Sequence, residues 1–370
     1  MALWSAYIIE LGAIRISQRI AILAVGRQDR FGADTSIVNA ARSLCLRTGL
    51  AQWTVAALML LLVSWTTYVH INQPLIGAGI EFHAIIVFLK TSSYILVHGD
   101  LRLAYLCPAV DRPVDHMSIR SQPPYPLNAT VLNLIYFWVS PTLVYQTSYP
   151  RSQKPKLRII LQQTCEAACL CILIWICWTH CASPLLENLS ESIRLRETVA
   201  ALRSVLKLSL ACMVIWIAGS FALFHSVLNA LAEATSFEDR VFYQDWWNAA
   251  SLQEYWRLWN KPVHHFMRRH IYSPMMKSGY SALQASTAVF FVSAALHELA
   301  VGVAIHSFRG VAFLEIMAQV PLIEITKGIQ SRTGDKGPTI NNYLFWIIFT
   351  VIGHPVALCS YYSAWKSTRK

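Results

Sequence analysis

Long apolar runs without charge alternate with polar connections along most of this chain. Thr48–Ile80, Ala167–Leu186, Leu208–Ala232, Ser278–His297 and Gly337–Trp365 contain no Lys, Arg, Asp or Glu. Each is close to or beyond the roughly 20 apolar residues that a spanning helix needs. Weaker runs are Met1–Gly26, which Glu10, Arg15 and Arg19 interrupt, Gly77–His98, Leu299–Phe308 and Gly310–Thr326. Inside lipid such lengths must satisfy their own backbone, and helices do so. The pattern predicts an all-α, polytopic integral membrane protein with eight or nine transmembrane helices. With no soluble domain and no internal repeat in view, residues 1–370 read as a single transmembrane domain.

Two stretches depart from this pattern. Ser121–Pro150 is uncharged, yet Pro123, Pro124, Pro126, Pro141 and Pro150 cross it, so it is not one continuous span. Broken backbone at membrane depth is tolerated where it is buried in protein or lines a cavity, which hints at a substrate chamber. The second stretch is the loop at 233–277. Ser251-Leu252-Gln253-Glu254 reads as a capping box opening a short helix that carries Trp256 and Trp259. Lys261-Pro262 breaks that helix, and Pro262 suits the start of another bearing His264, Arg268 and Ile271. Short Trp-rich helices with a cationic face lie in the membrane interface, so this loop is expected to rest on the surface and cap a passage inward.

Composition strengthens the membrane reading: 55% of the 370 residues are hydrophobic and 14% charged, with mean hydropathy +0.41. The net charge of +11 does not point to nucleic acid, because Lys and Arg crowd the connections, as at Arg151–Arg158 and Arg268–Arg269. Those clusters suit anionic lipid heads or the phosphates of an acyl carrier. Of nine cysteines, Cys165, Cys169, Cys171, Cys177 and Cys181 share one apolar span. They are expected to serve as small apolar residues rather than metal ligands. The first apolar run lacks a basic start and a small-residue cleavage site, so it is expected to be an insertion signal that stays attached. Asn128 and Asn188 open glycosylation sequons that report on topology.

Ionisable groups inside apolar runs are costly and mark sites. His297-Glu298 is such a pair. On a helix Ser293 and Val301 share the face of His297, whereas Glu298 points about 100° away. Glu298 is therefore expected to orient a neighbouring helix. Alone, His297 also reads as a core histidine held by a backbone carbonyl. Its glutamate neighbour and the aromatic loop upstream favour a general base, a role that suits imidazole. Asn260 and His264 lie one helical turn apart across Pro262. A carboxamide N–H can steady a carbonyl oxygen that gains negative charge, but taken by itself Asn260 reads first as a helix cap before Lys261-Pro262. Finally, Phe242-Tyr243-Gln244-Asp245-Trp246-Trp247-Asn248 sets four aromatics around one carboxylate. An interfacial aromatic belt accounts for its Trp and Tyr residues but not for Asp245 and Asn248.

With these motifs the chain resembles the membrane-bound O-acyltransferase superfamily, and within it the sterol and diacylglycerol acyltransferase branch. The shared Phe-Tyr-x-Asp-Trp-Trp-Asn element is matched at 242–248, Trp-Asn-x-x-Val-His at 259–264, and Ser-Ala-x-x-His-Glu at 293–298. Other matches lean to the diacylglycerol side. They are Tyr125-Pro126-x-Asn128, Pro141-Thr142-Leu143 with Tyr149-Pro150-Arg151, Arg269-His270 with Tyr272 and Pro274, and Met317-Ala318-Gln319-Val320-Pro321. The similarity runs from Ile80 to the C-terminus and is densest over Phe237–Pro321.

The resemblance implies acyl transfer from a long-chain acyl-CoA to the hydroxyl of a lipophilic acceptor, diacylglycerol first. His297 is then the base in a buried chamber, Asn260 holds the thioester, and Gln319 sits near the acceptor hydroxyl. Phe242, Tyr243, Asp245, Trp246, Trp247 and Asn248, with Trp259, His264, Tyr272 and Ser293, form or support the acyl-CoA passage, and Glu298 stands behind His297. A thioester is already activated, so no metal and no resident cofactor is expected; acyl-CoA is a co-substrate. The implied setting is the endoplasmic reticulum membrane, multi-pass, as a homodimer or homotetramer among membrane lipid and without nucleic acid. Three departures bear on acceptor and assembly. Gly353-His354-Pro355 stands where the diacylglycerol enzymes have Gly-Gln-Pro, Leu299 replaces an aromatic, and the long polar N-terminal segment is not in the sequence read. Three other readings stay open: a sterol acyltransferase; a transporter using His297-Glu298, although charged pairs on several spans and inverted repeats are missing; and an inactive lipid-binding relative.

Overall fold

Every extended regular element among the described residues is a helix. This computed structural model describes residues 35–106, 127–333 and 337–368, with Gly12, Arg19 and Tyr125 as single positions. The first apolar run, Met1–Gly26, lies outside them apart from those isolated positions. In chain order the helices are α1 (Thr35–His70), α2 (Pro74–Leu106), α3 (Val131–Val139), α4 (Leu157–Arg194) and α5 (Thr198–Ala234). Then come α6 (Leu252–Leu258), α7 (Lys261–Met267), α8 (Ser273–Lys277), α9 (Ala282–Ile305), α10 (Val311–Met317), α11 (Gln319–Thr333), α12 (Gly337–Ile347) and α13 (His354–Thr368). By length and composition six stretches can cross a membrane: Leu46–His70, Pro74–Arg102, Leu157–Arg194, Thr198–Ala234, Ala282–Ile305 and Thr339–Ser367.

The boundaries differ from those the apolar runs suggest, for local reasons. Thr48–Ile80 holds parts of two helices, because Pro74 disfavours helical backbone in the residue before it and itself suits a helix start. Leu299–Phe308 is no separate span but the end of α9 and the turn after it. Gly310–Thr326 is cut at Ala318 into α10 and α11, so it forms no single crossing.

Prolines within the long helices do not stop them. A widened π turn ends two residues before each of Pro184, Pro274 and Pro355, at Trp178–Ala182, Arg268–Tyr272 and Ile348–Gly353. Proline lacks an N–H and its ring crowds the carbonyl one turn back. Shifting the ladder by one residue lets the chain stay helical past it. A fourth π turn, Phe221–Val227 in α5, has no proline after it and carries His225.

The described residues form two compact units, one of residues 1–70 and 79–151, the other of 71–78 and 152–370. In the first, the Pro-rich stretch is broken as its prolines require: only α3 is helical, and the chain from Ser140 to Pro150 is irregular. Lys90 on α2 holds it. Its ammonium donates to the carbonyls of Phe137 at 2.9 Å, Trp138 at 2.8 Å and Ser140 at 2.7 Å. These lie at the end of α3, where carbonyls lack intrahelical partners and a cation is favoured. Ser93 Oγ, nearly one turn on, accepts the Tyr145 N–H at 2.8 Å. Tyr94, Phe137 and Tyr145 form the core between them. Asn128 is only 2% exposed, so its sequon is closed in the folded protein, whereas Asn188 is exposed.

In the second unit α4 lies along α5, and α9 meets α10, α11 and the π turn Arg268–Tyr272. A capping box opens α9: Ser281 Oγ accepts the Gln284 N–H at 3.2 Å and Gln284 Oε1 accepts the Ser281 N–H at 2.9 Å. It closes with Ser307 N–H on Gly302 O at 3.0 Å and His306 N–H on Val303 O at 3.3 Å. His306 occupies the left-handed position, φ 58°, where glycine is usual. Its ring also donates to the Ile71 carbonyl at 2.8 Å.

Candidate functional site

The motif at 242–248 divides into an inner and an outer half. Phe242 and Trp246 are buried, while Asp245, Trp247 and Asn248 are exposed and Tyr243 lies between. Trp246 meets Trp216 edge-on at 5.0 Å, Trp259 at 5.3 Å and Tyr255 at 6.0 Å. Trp216 in turn stacks on Trp259 at 4.4 Å. The backbone is pinned on two sides. Gln244 N–H donates to Leu258 O at 2.9 Å and Lys261 N–H to Phe242 O at 3.0 Å. Asn342 of α12 donates to the carbonyl of Ala249 at 3.1 Å. The Tyr243 hydroxyl lies 3.0 Å from His225 Nδ1, on the proline-free π turn. Burial first, then the charges of Glu166 and Asp245, push that hydroxyl above its ordinary range, so it stays a neutral donor.

Ser251 caps α6 by accepting the Glu254 N–H at 3.2 Å, and Glu254 reaches back to the Ala250 N–H at 2.9 Å. The box closes one residue earlier than its usual form. Trp256 and Trp259 turn toward the protein, where they join Trp216, Tyr255, Phe290 and Phe345. Asn260 caps α7: its Oδ1 accepts the Val263 N–H at 3.2 Å. This uses only the oxygen of the carboxamide. His264 Nδ1 is buried with no hydrogen-bond partner among the described residues. Burial, followed by the charges of His265, Lys261, Arg268 and Arg257, lowers its pKa to about 4, so it is neutral. Tyr272 is half-buried at the end of the π turn that meets α9.

On α9 the imidazole of His297 is exposed. Its Nδ1 lies 2.7 Å from the carbonyl oxygen of Ser293, and the Ser293 hydroxyl is at 3.5 Å. Since a carbonyl only accepts, Nδ1 carries the proton and Nε2 presents a lone pair. Glu298 points elsewhere. Its Oε1 accepts the Gly310 N–H at 2.7 Å, and its Oε2 accepts the Phe313 N–H at 3.2 Å and the Tyr361 hydroxyl at 2.7 Å. The glutamate thus orients a neighbouring helix, α10, and does not act on the imidazole. Gln319 opens α11 and its Nε2 donates to the Glu315 carbonyl at 3.2 Å.

His297, Asn260 and Gln319 sit on elements that adjoin within one unit: α9 meets α11, and α6 meets both α7 and α11. No hydrogen bond joins these three side chains among the described residues. Sequence reasoning overlooked His225, Asn342, Tyr361 and, in the first unit, Lys90. The signal was present for Lys90 and His225, since each is ionisable inside an apolar helix.

The membrane-bound O-acyltransferase family model matches residues 119–363, which include every motif just described from 242 onward. The chain belongs to the membrane-bound O-acyltransferase family. It is 36% identical over 286 residues to diacylglycerol O-acyltransferase 1 of Corylus americana, covering 77% of this chain and 52% of that protein. Against diacylglycerol O-acyltransferase 1-2 of Oryza sativa subsp. japonica the identity is 36% over 291 residues, 79% of this chain and 60% of the relative. Against diacylglycerol O-acyltransferase 1 of Dictyostelium discoideum it is 39% over 238 residues, 64% and 38%. The chain thus spans about half the length of the curated relatives it matches. Family membership and the six apolar helices make it a multi-pass membrane protein.

Proposed function

We propose that this chain is an acyl-CoA-dependent O-acyltransferase that moves a long-chain acyl group to the hydroxyl of a lipophilic acceptor, diacylglycerol first, making triacylglycerol. The observation that carries the reading is the tautomer of His297, whose Nδ1–H is tied to Ser293 O at 2.7 Å so that Nε2 is the free base. In the proposed reaction Nε2 takes the acceptor's hydroxyl proton as that oxygen bonds to the thioester carbon. The carbonyl oxygen becomes an oxyanion, and the Asn260 N–H groups, not engaged by its cap, stabilise it. As the intermediate collapses the carbon–sulfur bond breaks, and the CoA thiolate recovers the proton from Nε2. Gln319 is assigned to the acceptor hydroxyl.

The outward half of the motif (Asp245, Trp247 and Asn248), with His264, Tyr272 and Ser293, is assigned to acyl-CoA. Phe242, Trp246 and Trp259 support them from the aromatic core, and Tyr243 joins the two. The buried, partnerless Nδ1 of His264 favours a polar ligand group at that position. The reading takes 1–370 as one acyltransferase domain whose membrane helices enclose the catalytic chamber, with 233–277 as its interfacial loop. It places the protein in the endoplasmic reticulum membrane, where acyl-CoA meets lipophilic alcohols. The test is transfer from radiolabelled oleoyl-CoA by membranes carrying the chain, with diacylglycerol and cholesterol offered in parallel. Labelled triacylglycerol that disappears with His297→Ala supports the reading, labelled cholesteryl ester moves it to the sterol side, and neither product would sink it for both acceptors.

A further inference from the structure

A residue outside every sequence motif ties the helix of His297 to α10. Tyr361 on α13 is 4% exposed, and its hydroxyl is engaged twice. It donates to Glu298 Oε2 at 2.7 Å and accepts the Ala312 N–H at 2.9 Å. Glu298 itself accepts from Gly310 and Phe313. These N–H groups open α10, where no preceding turn offers backbone acceptors. A carboxylate from α9 and a phenol from α13 therefore cap the first turn of α10 together. Gly310, at φ 71°, makes the sharp entry that brings its N–H to the carboxylate.

The consequences reach Gln319. From its capped end α10 runs seven residues to Met317, and Ala318 leads directly into α11 at Gln319. The Gln319 side chain is bonded to Glu315 on α10, so where α10 sits decides where Gln319 sits.

We infer that Tyr361 is a positioning residue for the acceptor side of the site: through Glu298 it fixes α10, and with it Gln319, relative to His297. The inference rests on the acyltransferase reading. It separates the two substrates, because the groups assigned to acyl-CoA lie at 242–272 and on Ser293, and neither Tyr361 nor Glu298 bonds to them.

The test is Tyr361→Phe, which deletes one oxygen, with Glu298→Gln as a second variant expected to show the same signature. Steady-state kinetics at matched folded protein are read beside amide hydrogen exchange. Losing a hydrogen bond to a charged partner should cut kcat/KM for diacylglycerol about tenfold or more. The KM for oleoyl-CoA should stay put, and exchange should quicken at 310–318. Wild-type kinetics per folded molecule, an equal rise in both KM values, or unchanged exchange at 310–318 in both variants would each overturn the inference. If the wild-type chain transfers no acyl group at all, the acyltransferase reading fails and takes the acceptor role with it. Exchange at 310–318 then still shows whether Tyr361 holds α10.

Discussion

His297 Nδ1 and the carbonyl oxygen of Ser293 lie 2.7 Å apart, one turn from each other on α9. That bond fixes the tautomer through the backbone, so it does not depend on the serine side chain, whose hydroxyl is a longer 3.5 Å away. His297→Ala is predicted to lower turnover by about 10²–10⁴-fold, the usual worth of a positioned base, with no shift in thermal midpoint. Ser293→Ala should keep kcat, and any change should be confined to the KM for acyl-CoA. Normal turnover by the His297 variant removes it from the mechanism.

Within the 242–248 motif stability and binding should separate. Trp246 is 6% exposed and sits among Trp216, Tyr255 and Trp259, whereas Trp247 is 47% exposed. Trp246→Ala should cost about 3–5 kcal/mol of stability, as truncating a core aromatic does. Trp247→Ala should leave the thermal midpoint near wild type and raise the KM for acyl-CoA. Differential scanning fluorimetry beside kinetics checks both, and an equal loss of stability in the two variants would contradict the division.

How far the sequence could be read depended on whether a feature was local. Uncharged runs revealed α4, α5, α9 and the α12–α13 stretch as membrane helices, and the capping residues Ser251 and Asn260 were legible because a cap needs only its next turn. The direction of Glu298 followed from helical geometry alone. What it would hold did not, because Gly310 and Tyr361 reach it through tertiary packing. The cut at Ala318 was equally hidden, since Gly310–Thr326 is apolar enough to resemble a span until the capping of α10 is known. Trp256 and Trp259 looked suited to lipid, but Trp259 stacks on Trp216, 43 residues earlier on α5, and Trp256 meets Phe290 on α9.

Acid should weaken the 252–277 region before it affects the rest. His264 is held at about 4 by burial and then by the charges of His265, Lys261, Arg268 and Arg257. His270 is held at about 4 by burial and then by Arg269. In the unfolded chain both return to the ordinary 6.5. Between about 6.5 and 4 the unfolded state binds more protons, so stability falls as pH drops through that window and is fully present above it. The thermal midpoint of solubilised protein should decline below about pH 6.5. Replacing both histidines with glutamine should flatten that decline. A midpoint that falls equally in the double variant would assign the effect to other groups.

Lys90 should matter for the Pro-rich stretch. One ammonium meets three carbonyls, those of Phe137, Trp138 and Ser140, at a helix end where Phe137 and Ser140 are fully buried. Lys90→Met preserves the side chain's length and apolar stem but strands those oxygens, at roughly 1–3 kcal/mol for each that finds no other donor. The expected result is a lower thermal midpoint, with faster amide exchange from Phe137 to Tyr145. Lys90→Arg distinguishes charge from geometry. It keeps the cation, but a planar fork cannot aim three N–H groups from one nitrogen at carbonyls clustered around it. Its midpoint should therefore fall between wild type and Lys90→Met. An arginine variant as stable as wild type would mean that positive charge at the end of α3, and not the three-pronged bond, is what holds the segment.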